Sequence, residues 1–228
     1  MKYLIYDLEI AKSIPIEGEP RDRAFSYCDG WRDFKNMGIS LASCLFVTDQ
    51  HDDLGMLGSG PFGTAPYLFM HDNKDEFRQM LSIRDLVLVG FNNQNFDDRL
   101  LAAQFPDLGL EARPSWDLLA YVWRMDGLDP TVYTKAHAGY SLNAFAVANG
   151  YRQKRGSGAS APMSYQAGRY GALVNYGVYD LWLTALLLVR LSRGALKHPK
   201  DPRRAVQVPD GEIIAGMFPD LLRATYDG

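Results

Sequence analysis

The first segment of the chain has the pattern of a buried β-strand. Residues 2–9 read KYLIYDLE, with four apolar or aromatic side chains at positions 3–6 and two acidic residues after them. Residues 38–49 and 66–72 also read as strands, because they are rich in branched apolar and aromatic residues. The continuous apolar run at 86–91, LVLVGF, is typical of a strand that is covered on both faces. The sequence therefore predicts four strands.

Elsewhere the apolar positions recur with helical spacing. Ser141 and Gly150 have the residue types that begin and end helices. Residues 10–36 and 151–164 lack a sustained period and read as loops. Helices are predicted at residues 73–85, 95–105, 116–127, 141–150 and from about 169 to 194. Strands followed by strands mixed with helices predict an α/β domain with a central mixed sheet.

The length and composition fit one globular domain. A chain of 228 residues with 47% hydrophobic and 22% charged residues differs from disordered, collagen-like and coiled-coil proteins. Residues 193–228 are punctuated by prolines and read as a C-terminal extension with a short helix. The longest apolar stretch, residues 181–189, is too short to cross a bilayer, so we expect no membrane association.

The net charge and the cysteine content bear on the expected binding partners and on the expected cellular compartment. The net charge is −3, so no basic excess indicates nucleic acid. A local basic groove around an acidic, metal-filled centre would still leave the total charge negative. Cys28 and Cys44 are too few for a disulfide framework and lack the pairing of a zinc site, which favours a reducing cytoplasm.

Asp7 and Glu9 are unusual residues for a buried strand. Side chains at i and i+2 of a strand point to the same face and lie roughly 6.5 to 7 Å apart. Two neighbouring carboxylates remain ionised in a dry setting only if a cation or hydrogen-bond donors offset their charge. The sequence around them leaves two interpretations open, a metal site or an edge strand whose outer face is wet.

Two further motifs favour a metal site. Asn92, Phe96 and Asp97 follow the apolar run at 86–91, where residues gather at the ligand-binding edge of an open sheet. Tyr176 and Asp180 lie four apart on the last predicted helix and therefore share one helical face.

In this order, the motifs resemble those of a known family, the RNase H-like 3′–5′ exonucleases of the DnaQ-like, or DEDD, superfamily. Its D-x-E, N-x-x-x-F-D and Y-x-x-x-D motifs correspond here to DLE, NNQNFD and YGVYD, and tyrosine in the last motif indicates the DEDDy branch. The resemblance covers most of residues 1–192, which would form the exonuclease domain, with 193–228 as an extension. Ile10 and Asn143 depart from the family pattern, as does the long loop at 10–36.

The resemblance implies an RNase H-like fold and a two-metal hydrolysis of phosphodiester bonds. Asp7, Glu9, Asp97 and Asp180 would hold two Mg²⁺ or Mn²⁺ ions about 3.5 to 4 Å apart. Tyr176 would orient the attacking water, since a phenol with a pKa near 10 is a poor base at neutral pH. The substrate would be the 3′ end of single-stranded nucleic acid, DNA rather than RNA, and the products nucleoside 5′-monophosphates.

The resemblance also suggests substrate contacts, each with a structural alternative. Leu8 and Ile10 would contact the terminal nucleotide, although strand packing explains Leu8 equally well. Asn92 would either contact the substrate or, as the structural alternative, form a hydrogen bond with the backbone at the end of the strand. The basic loop residues would contact phosphates or be merely solvated charges; they are Arg152, Lys154 and Arg155.

Several neighbouring residues have structural interpretations. Asp98 is expected in the first turn of a helix, and Asp117 is expected to cap a helix. Tyr179 lies close enough to Asp180 to replace Tyr176 in the site. Two rival functions remain open at this stage: a non-catalytic nucleic-acid- or partner-binding module, and an RNase or structure-specific nuclease.

Overall fold

The computed structural model describes residues 2–48, 65–154, 158–208 and 212–217. Its strands are β1 Lys2–Ile10, β2 Ile39–Thr48, β3 Tyr67–Phe69, β4 Leu86–Gly90, β5 Ser115–Asp117, β6 Leu196–Lys197 and β7 Ala205–Val206. Its α-helices are α1 Phe34–Met37, α2 Lys74–Leu81, α3 Asp97–Gln104, α4 Leu118–Met125, α5 Leu142–Ala148, α6 Ser160–Gln166 and α7 Tyr170–Ser192. Short 3₁₀ helices lie at Asn93–Asn95, Pro106–Leu108, Leu110–Ala112, Lys135–His137 and Ile213–Met217.

Five strands form the central sheet in the order β3-β2-β1-β4-β5. Strand β2 is antiparallel to both β1 and β3, whereas β4 is parallel to both β1 and β5. This arrangement confirms the predicted α/β fold with an RNase H-like mixed sheet flanked by helices. Because β1 and β4 are parallel, their carboxyl ends lie at the same edge of the sheet.

The alternation of side chains along β1 divides the core into two layers. Tyr3 and Ile5 belong to a layer formed with α4, α5 and α7. Leu4 and Tyr6 face the other layer, where α2 and α3 supply apolar side chains. Asp7 and Glu9 have the same parity as Tyr3 and Ile5, so β1 directs both carboxylates toward α7.

Helix α7 packs across β1 and β2 and is the central helix of the first layer. Among the described residues it is the one helix long and apolar enough to cross a membrane by length and composition. More than half of its most apolar window is buried inside the protein, at 56%. Packing against the sheet therefore explains the apolar character of this helix.

Several predicted segments differ from the structure. The short helix α1 lies at the end of the predicted loop 10–36, and the predicted C-terminal extension contains β6 and β7. Strand β5 occupies the start of the helix predicted at 116–127; three residues are too few to show an alternation, and α4 follows without a connecting loop. Helix α6 lies partly in the predicted loop 151–164. Its sequence, SAPMSYQ, combines small and polar residues with a proline near its start, so it carries little helical periodicity.

The described part of the C-terminal extension packs onto the first layer. Its fully buried side chains belong to the same hydrophobic cluster as α7, and they are Leu196, Val206, Ile214 and Met217. Asp126, just after α4, accepts hydrogen bonds from His198 Nε2 at 2.7 Å and from Arg204 Nη1 at 2.5 Å. These contacts hold the β6–β7 hairpin against α4.

Candidate metal centre

Three carboxylates converge between the end of β1 and the middle of α7. One carboxylate oxygen from each of Asp7, Glu9 and Asp180 lies within 4.8 Å of the other two. We call these three residues the acidic cluster. Glu9 and Asp180 are only 6% and 5% exposed, and Asp7 is partly exposed. The structure thus brings together two of the predicted motifs, D-x-E and Y-x-x-x-D.

A glycine allows α7 to approach the sheet closely enough for this convergence. A Cβ atom at Gly177 would lie 2.8 Å from Leu41 Cδ2 and 3.1 Å from Ser43 Oγ, and both of these residues belong to β2. Ser43 pairs with Asp7 across the two strands. Because Asp180 follows Gly177 by three residues, it lies on the same face of the helix, over the strand end that carries Asp7.

Asp97, the fourth predicted ligand, lies beside the acidic cluster rather than within the group of three. It is the first residue of α3, at the carboxyl end of β4, and is buried. Its Oδ1 accepts a hydrogen bond of 3.2 Å from the backbone N–H of Leu8. Asp97 therefore contacts the β1 backbone between the two acids of the D-x-E motif.

Four ionised carboxylates at this site are electrostatically unfavourable in the absence of a cation. Desolvation by burial raises the pKa of Asp7, Glu9, Asp97 and Asp180. Repulsion between neighbours adds to it, as Asp180 raises the pKa of Asp7 and Asp7 raises the pKa of Glu9 and Asp97. Buried charges on this scale are stable only when paired or coordinated.

Two oxygens of the acidic cluster are available as metal ligands. Asp7 Oδ2 and Asp180 Oδ1 are buried and have no hydrogen-bond partner among the described residues. A buried carboxylate oxygen without a donor loses the stabilisation it had in water. Divalent Mg²⁺ and Mn²⁺ prefer carboxylate oxygens, so the donor set of the site fits these ions.

Lys154 also lies in the site and partly balances its charge. Its Nζ donates hydrogen bonds to Asp180 Oδ2 at 2.6 Å and to the Tyr176 hydroxyl at 2.8 Å. Burial lowers the pKa of the Lys154 ammonium, but the adjacent Asp180 carboxylate more than offsets that and raises it above its usual value. The backbone N–H of Lys154 donates to Asn143 Oδ1 at 3.0 Å, which ties this loop to α5.

Of the two candidate tyrosines, Tyr176 faces the acidic cluster. Burial and the negative charge of Asp180 raise its pKa to about 12, so it stays a phenol at neutral pH. Tyr179 points elsewhere, since its hydroxyl donates to the backbone carbonyl of Arg152 at 2.7 Å. The side chain of Arg152 is exposed, and Arg155 lies outside the described residues.

The side chains of the other residues predicted to contact the substrate make contacts within the protein. Leu8 and Ile10 are buried in the layer on the opposite face of the sheet, so strand packing explains both side chains. Asn92 adopts a left-handed conformation with φ of 64°, and its Oδ1 accepts a hydrogen bond from Asn95 Nδ2 at 3.4 Å. The expected bond from Asn92 to backbone is thus replaced by a contact between side chains.

Asp117 fixes the loop that leads to Asp97. Its carboxylate caps α4 by accepting from the N–H groups of Leu119 and Ala120, which confirms the expected capping role. The same carboxylate accepts from the N–H groups of Asn92 and Gln94, in the loop after β4. One side chain therefore joins the start of α4 to the loop that delivers Asp97.

Asp98 has a larger structural role than that of a first-turn acid. It lies in the first turn of α3, as expected, and accepts hydrogen bonds from the hydroxyls of Tyr6 and Ser115 and from Asn93 Nδ2. These partners belong to β1, β5 and the 3₁₀ helix before α3. Asp98 thereby joins the strand ends that carry the site.

Sequence patterns did not indicate the position of Gly177 in the site. The signal for Gly177 was the small residue between Tyr176 and Asp180, since a glycine inside a long helix often marks close packing. Lys154 was expected as one of three basic loop residues that would contact phosphates. Its contact with Asp180 was not expected, because the loop is aperiodic and the fold alone brings the two side chains together.

Some solved structures are similar to this chain at low sequence identity. No protein-family model and no curated protein matches the chain. The family B DNA polymerase from the hyperthermophilic archaeon Pyrobaculum calidifontis has a TM-score of 0.48 and 13% identity over 84% of this chain and 25% of the polymerase. E. coli exonuclease I in complex with a dT13 oligonucleotide has a TM-score of 0.41 and 13% identity over 83% of this chain and 44% of the exonuclease. The chain thus spans about a quarter of one neighbour and less than half of the other.

Proposed function

We propose that the protein is a metal-dependent 3′–5′ exonuclease that hydrolyses single-stranded nucleic acid, preferentially DNA, to nucleoside 5′-monophosphates. The observation that carries this proposal is the acidic cluster, with two buried carboxylate oxygens that lack a partner among the described residues. The three motifs of the DEDDy pattern supply the cluster and the adjacent Asp97. Four unrelated surface acids would not meet at one edge of a sheet.

The cofactors in this proposal are two divalent cations, Mg²⁺ or Mn²⁺. Asp7, Glu9 and Asp180 would hold them together with Asp97. The ions would supply the Lewis acidity that activates water and offsets negative charge on the departing 3′ oxygen.

Tyr176 acts in this proposal as a hydrogen-bond donor to the attacking water. Because its pKa is raised to about 12, the phenol keeps its proton at neutral pH and is not the general base. Because Lys154 donates to the phenolic oxygen, the phenol keeps its own proton as a donor, either to the neighbouring Asp180 carboxylate or to a water at the site. Tyr176 would thus orient the nucleophile without taking its proton.

Lys154 and Arg152 provide positive charge for the substrate backbone. Lys154 Nζ is within hydrogen-bond distance of a predicted metal ligand, so its ammonium lies where a phosphate held at the site would also lie. The exposed Arg152 side chain precedes it by two residues. Backbone contacts of this kind are independent of sequence, so we expect little base specificity from them.

Labelled oligonucleotides test the proposal directly. Single-stranded DNA of about 20 nucleotides, labelled at either end, is incubated with the protein and Mn²⁺ or with a chelator. With Mn²⁺, we expect stepwise shortening from the 3′ end and release of nucleoside 5′-monophosphates. Asp180→Asn and Asp7→Asn should each reduce the rate at least about 100-fold, because each removes a charged metal ligand.

Asp107→Asn is the matched control, since this acid lies on the surface in an ion pair with Arg78. It should cleave like the unmodified protein. Binding of DNA without shortening would instead indicate the non-catalytic module, and shortening by the two site variants at the normal rate would refute the assigned metal ligands. An RNA oligonucleotide of the same sequence, cleaved faster than the DNA, would reverse the proposed preference.

A further inference from the structure

Trp31 presents a large aromatic surface to solvent beside the candidate metal centre. The residue is 70% exposed, whereas Trp116 and Trp123 are buried. The Trp31 ring contacts Phe96, with 6.1 Å between ring centroids and 70° between ring planes. Phe96 immediately precedes Asp97 in the chain. The exposed ring therefore packs against the residue that leads into Asp97, at the sheet edge where the acidic cluster lies.

The loop that carries Trp31 is anchored on both sides of this ring. Gln166 of α6 pairs with the backbone of Ser26, accepting from its N–H at 2.5 Å and donating to its carbonyl at 3.1 Å. The same amide donates to the carbonyl of Ala11, at the end of β1, at 2.9 Å. Gln104 of α3 donates to the carbonyl of Phe34 at 2.8 Å. None of these anchors involves the Trp31 side chain.

The exposed position of the Trp31 ring is better explained by ligand binding than by a role in the hydrophobic core. An exposed tryptophan contributes little to folding, because its apolar surface remains in water. A rigid aromatic ring on an anchored loop loses little conformational entropy when something stacks on it. The contact with Phe96 is edge-to-face, and most of the Trp31 surface remains open.

The surroundings favour a nucleotide base over a protein partner. Trp31 is flanked in sequence by Gly30 and Arg32, with Asp29 and Asp33 beyond them, so its neighbours along the chain do not extend the apolar surface. A stable protein interface needs about 800 Å² from each partner, far more than one ring offers. A single base needs only one flat ring, and every base has a face that stacks.

We propose that Trp31 is a stacking residue for a base of the single-stranded nucleic acid as the strand enters the metal centre. This inference rests on the proposed nuclease function and adds to it a specificity-determining contact on the 10–36 loop. Stacking on the ring orients the strand before its terminal phosphodiester reaches the acidic cluster. Since purines offer a larger stacking surface, Trp31 favours a purine over a pyrimidine at that position.

Binding measured without metal tests Trp31 independently of cleavage. In a chelator, the anisotropy of a labelled single-stranded DNA reports affinity, and tryptophan emission reports stacking. We expect Trp31→Ala to weaken binding about tenfold and Trp31→Phe to weaken it less than about threefold, because phenylalanine keeps a stacking face. Bound DNA should quench part of the emission of the unmodified protein, and that quenching should be lost in Trp31→Phe.

Ile16→Ala is the matched control, because Ile16 is an exposed apolar residue of the same loop without a ring. It should bind DNA like the unmodified protein, and all three variants should keep the same melting temperature to within about 2 °C. Equal affinity of Trp31→Ala and the unmodified protein, or quenching that persists in Trp31→Phe, would overturn the inference. Trp31-dependent binding in a protein that never cleaves DNA would instead support the inference and refute the nuclease function.

Discussion

At the scale of single residues, Lys154 and a divalent cation have overlapping roles in the site. The Lys154 ammonium lies 2.6 Å from Asp180 Oδ2, and a charge-assisted contact of this length is strong in a partly buried setting. A cation that binds Asp180 through its free Oδ1 shares this carboxylate with Lys154, and the like charge of the ammonium repels it. The ammonium therefore stabilises the metal-free protein and competes with the metal.

Removing this ammonium should tighten metal binding and slow the reaction. In Lys154→Met, we expect the Mn²⁺ dissociation constant to fall about tenfold, because the competing hydrogen bond is lost and the net negative charge rises. At saturating Mn²⁺, turnover should fall about tenfold or more, since Tyr176 loses its partner and the phosphate loses a cation. Calorimetry with Mn²⁺ measures the first effect, and a DNA-shortening assay measures the second.

The neighbouring cation Arg152 serves as the control for this prediction. Its exposed side chain lies outside the acidic cluster, so Arg152→Met should leave Mn²⁺ affinity unchanged. Unchanged or weaker Mn²⁺ binding by Lys154→Met would mean that Lys154 does not compete with the metal.

The acids of the candidate metal centre were more predictable from sequence than the residues around them. Asp7 and Glu9 share a face because a strand has a period of two, and Tyr176 and Asp180 share a face because a helix has a period of 3.6. Lys154 and Trp31 lie in loops, where spacing along the chain does not determine direction in space. The motif spacing could therefore indicate the acidic cluster but not its ammonium partner or the exposed ring.

At the scale of elements, the packing of α7 on β2 sets the distance between the acids. Gly177 lies at the closest contact, where a Cβ would meet Leu41 Cδ2 at 2.8 Å. A contact this short requires Leu41 or the helix to shift, and Leu41 is fully buried, with little room for its side chain to move. Since Asp180 is on the same helix, any shift of α7 moves its carboxylate away from Asp7.

Gly177→Ala should therefore destabilise the fold and impair the site. We expect a loss of about 1 to 3 kcal/mol in the free energy of unfolding, because overpacking exceeds the gain in helix propensity of about 1 kcal/mol. DNA cleavage should fall about tenfold or more as Asp180 moves. Denaturant unfolding measures the stability, and the oligonucleotide assay measures the activity.

Gly171→Ala provides the same substitution on the same helix without the contact. Nothing lies within 4 Å of a Cβ built at Gly171, so this variant should be unchanged or slightly more stable, with normal activity. If the two variants behave alike, close packing of α7 on β2 is not what positions Asp180.

Elements with long periodic patterns were predicted well, and short ones were not. The apolar runs of β1, β2 and β4 and the spacing in α7 extend over five or more residues, enough to reveal their period. Strand β5 has three residues and is defined by its pairing with β4, which is a tertiary contact. The strand order also depends on pairing between distant segments, and the sequence pattern did not predict it.

At the scale of the whole molecule, the acidic cluster links metal binding to stability. It lies between the central sheet and the largest hydrophobic layer, with Glu9 and Asp180 buried and Asp7 partly exposed, and desolvation there raises the pKa values of all three. Without metal, these carboxyls bind protons more tightly in the folded chain than in the unfolded chain. Folding and ionisation of the cluster therefore oppose each other until a cation binds.

The sign of the resulting pH dependence follows from these raised pKa values. In the unfolded chain, Asp and Glu lose their protons near pH 4, at about 3.9 and 4.3. Above that pH the folded state holds more protons than the unfolded state, so stability falls as the pH rises toward the folded pKa values. A divalent cation binds the ionised carboxylates and reverses this loss.

Asp7→Asn should separate this contribution from the other titrating groups of the protein. In a chelator, the variant should melt higher than the unmodified protein at pH 7.5, by about 2 to 8 °C for a gain of about 1 to 2 kcal/mol, and the difference should shrink at pH 5. Mn²⁺ should raise the melting temperature of the unmodified protein more at pH 7.5 than at pH 5, and that of Asp7→Asn only weakly. Scanning calorimetry of both proteins at the two pH values, with Mn²⁺ and with chelator, measures these melting temperatures. A larger advantage of Asp7→Asn at pH 5 than at pH 7.5 would contradict the assignment of Asp7 as a buried, proton-binding ligand, because a carboxylate with a raised pKa destabilises the fold only where it ionises.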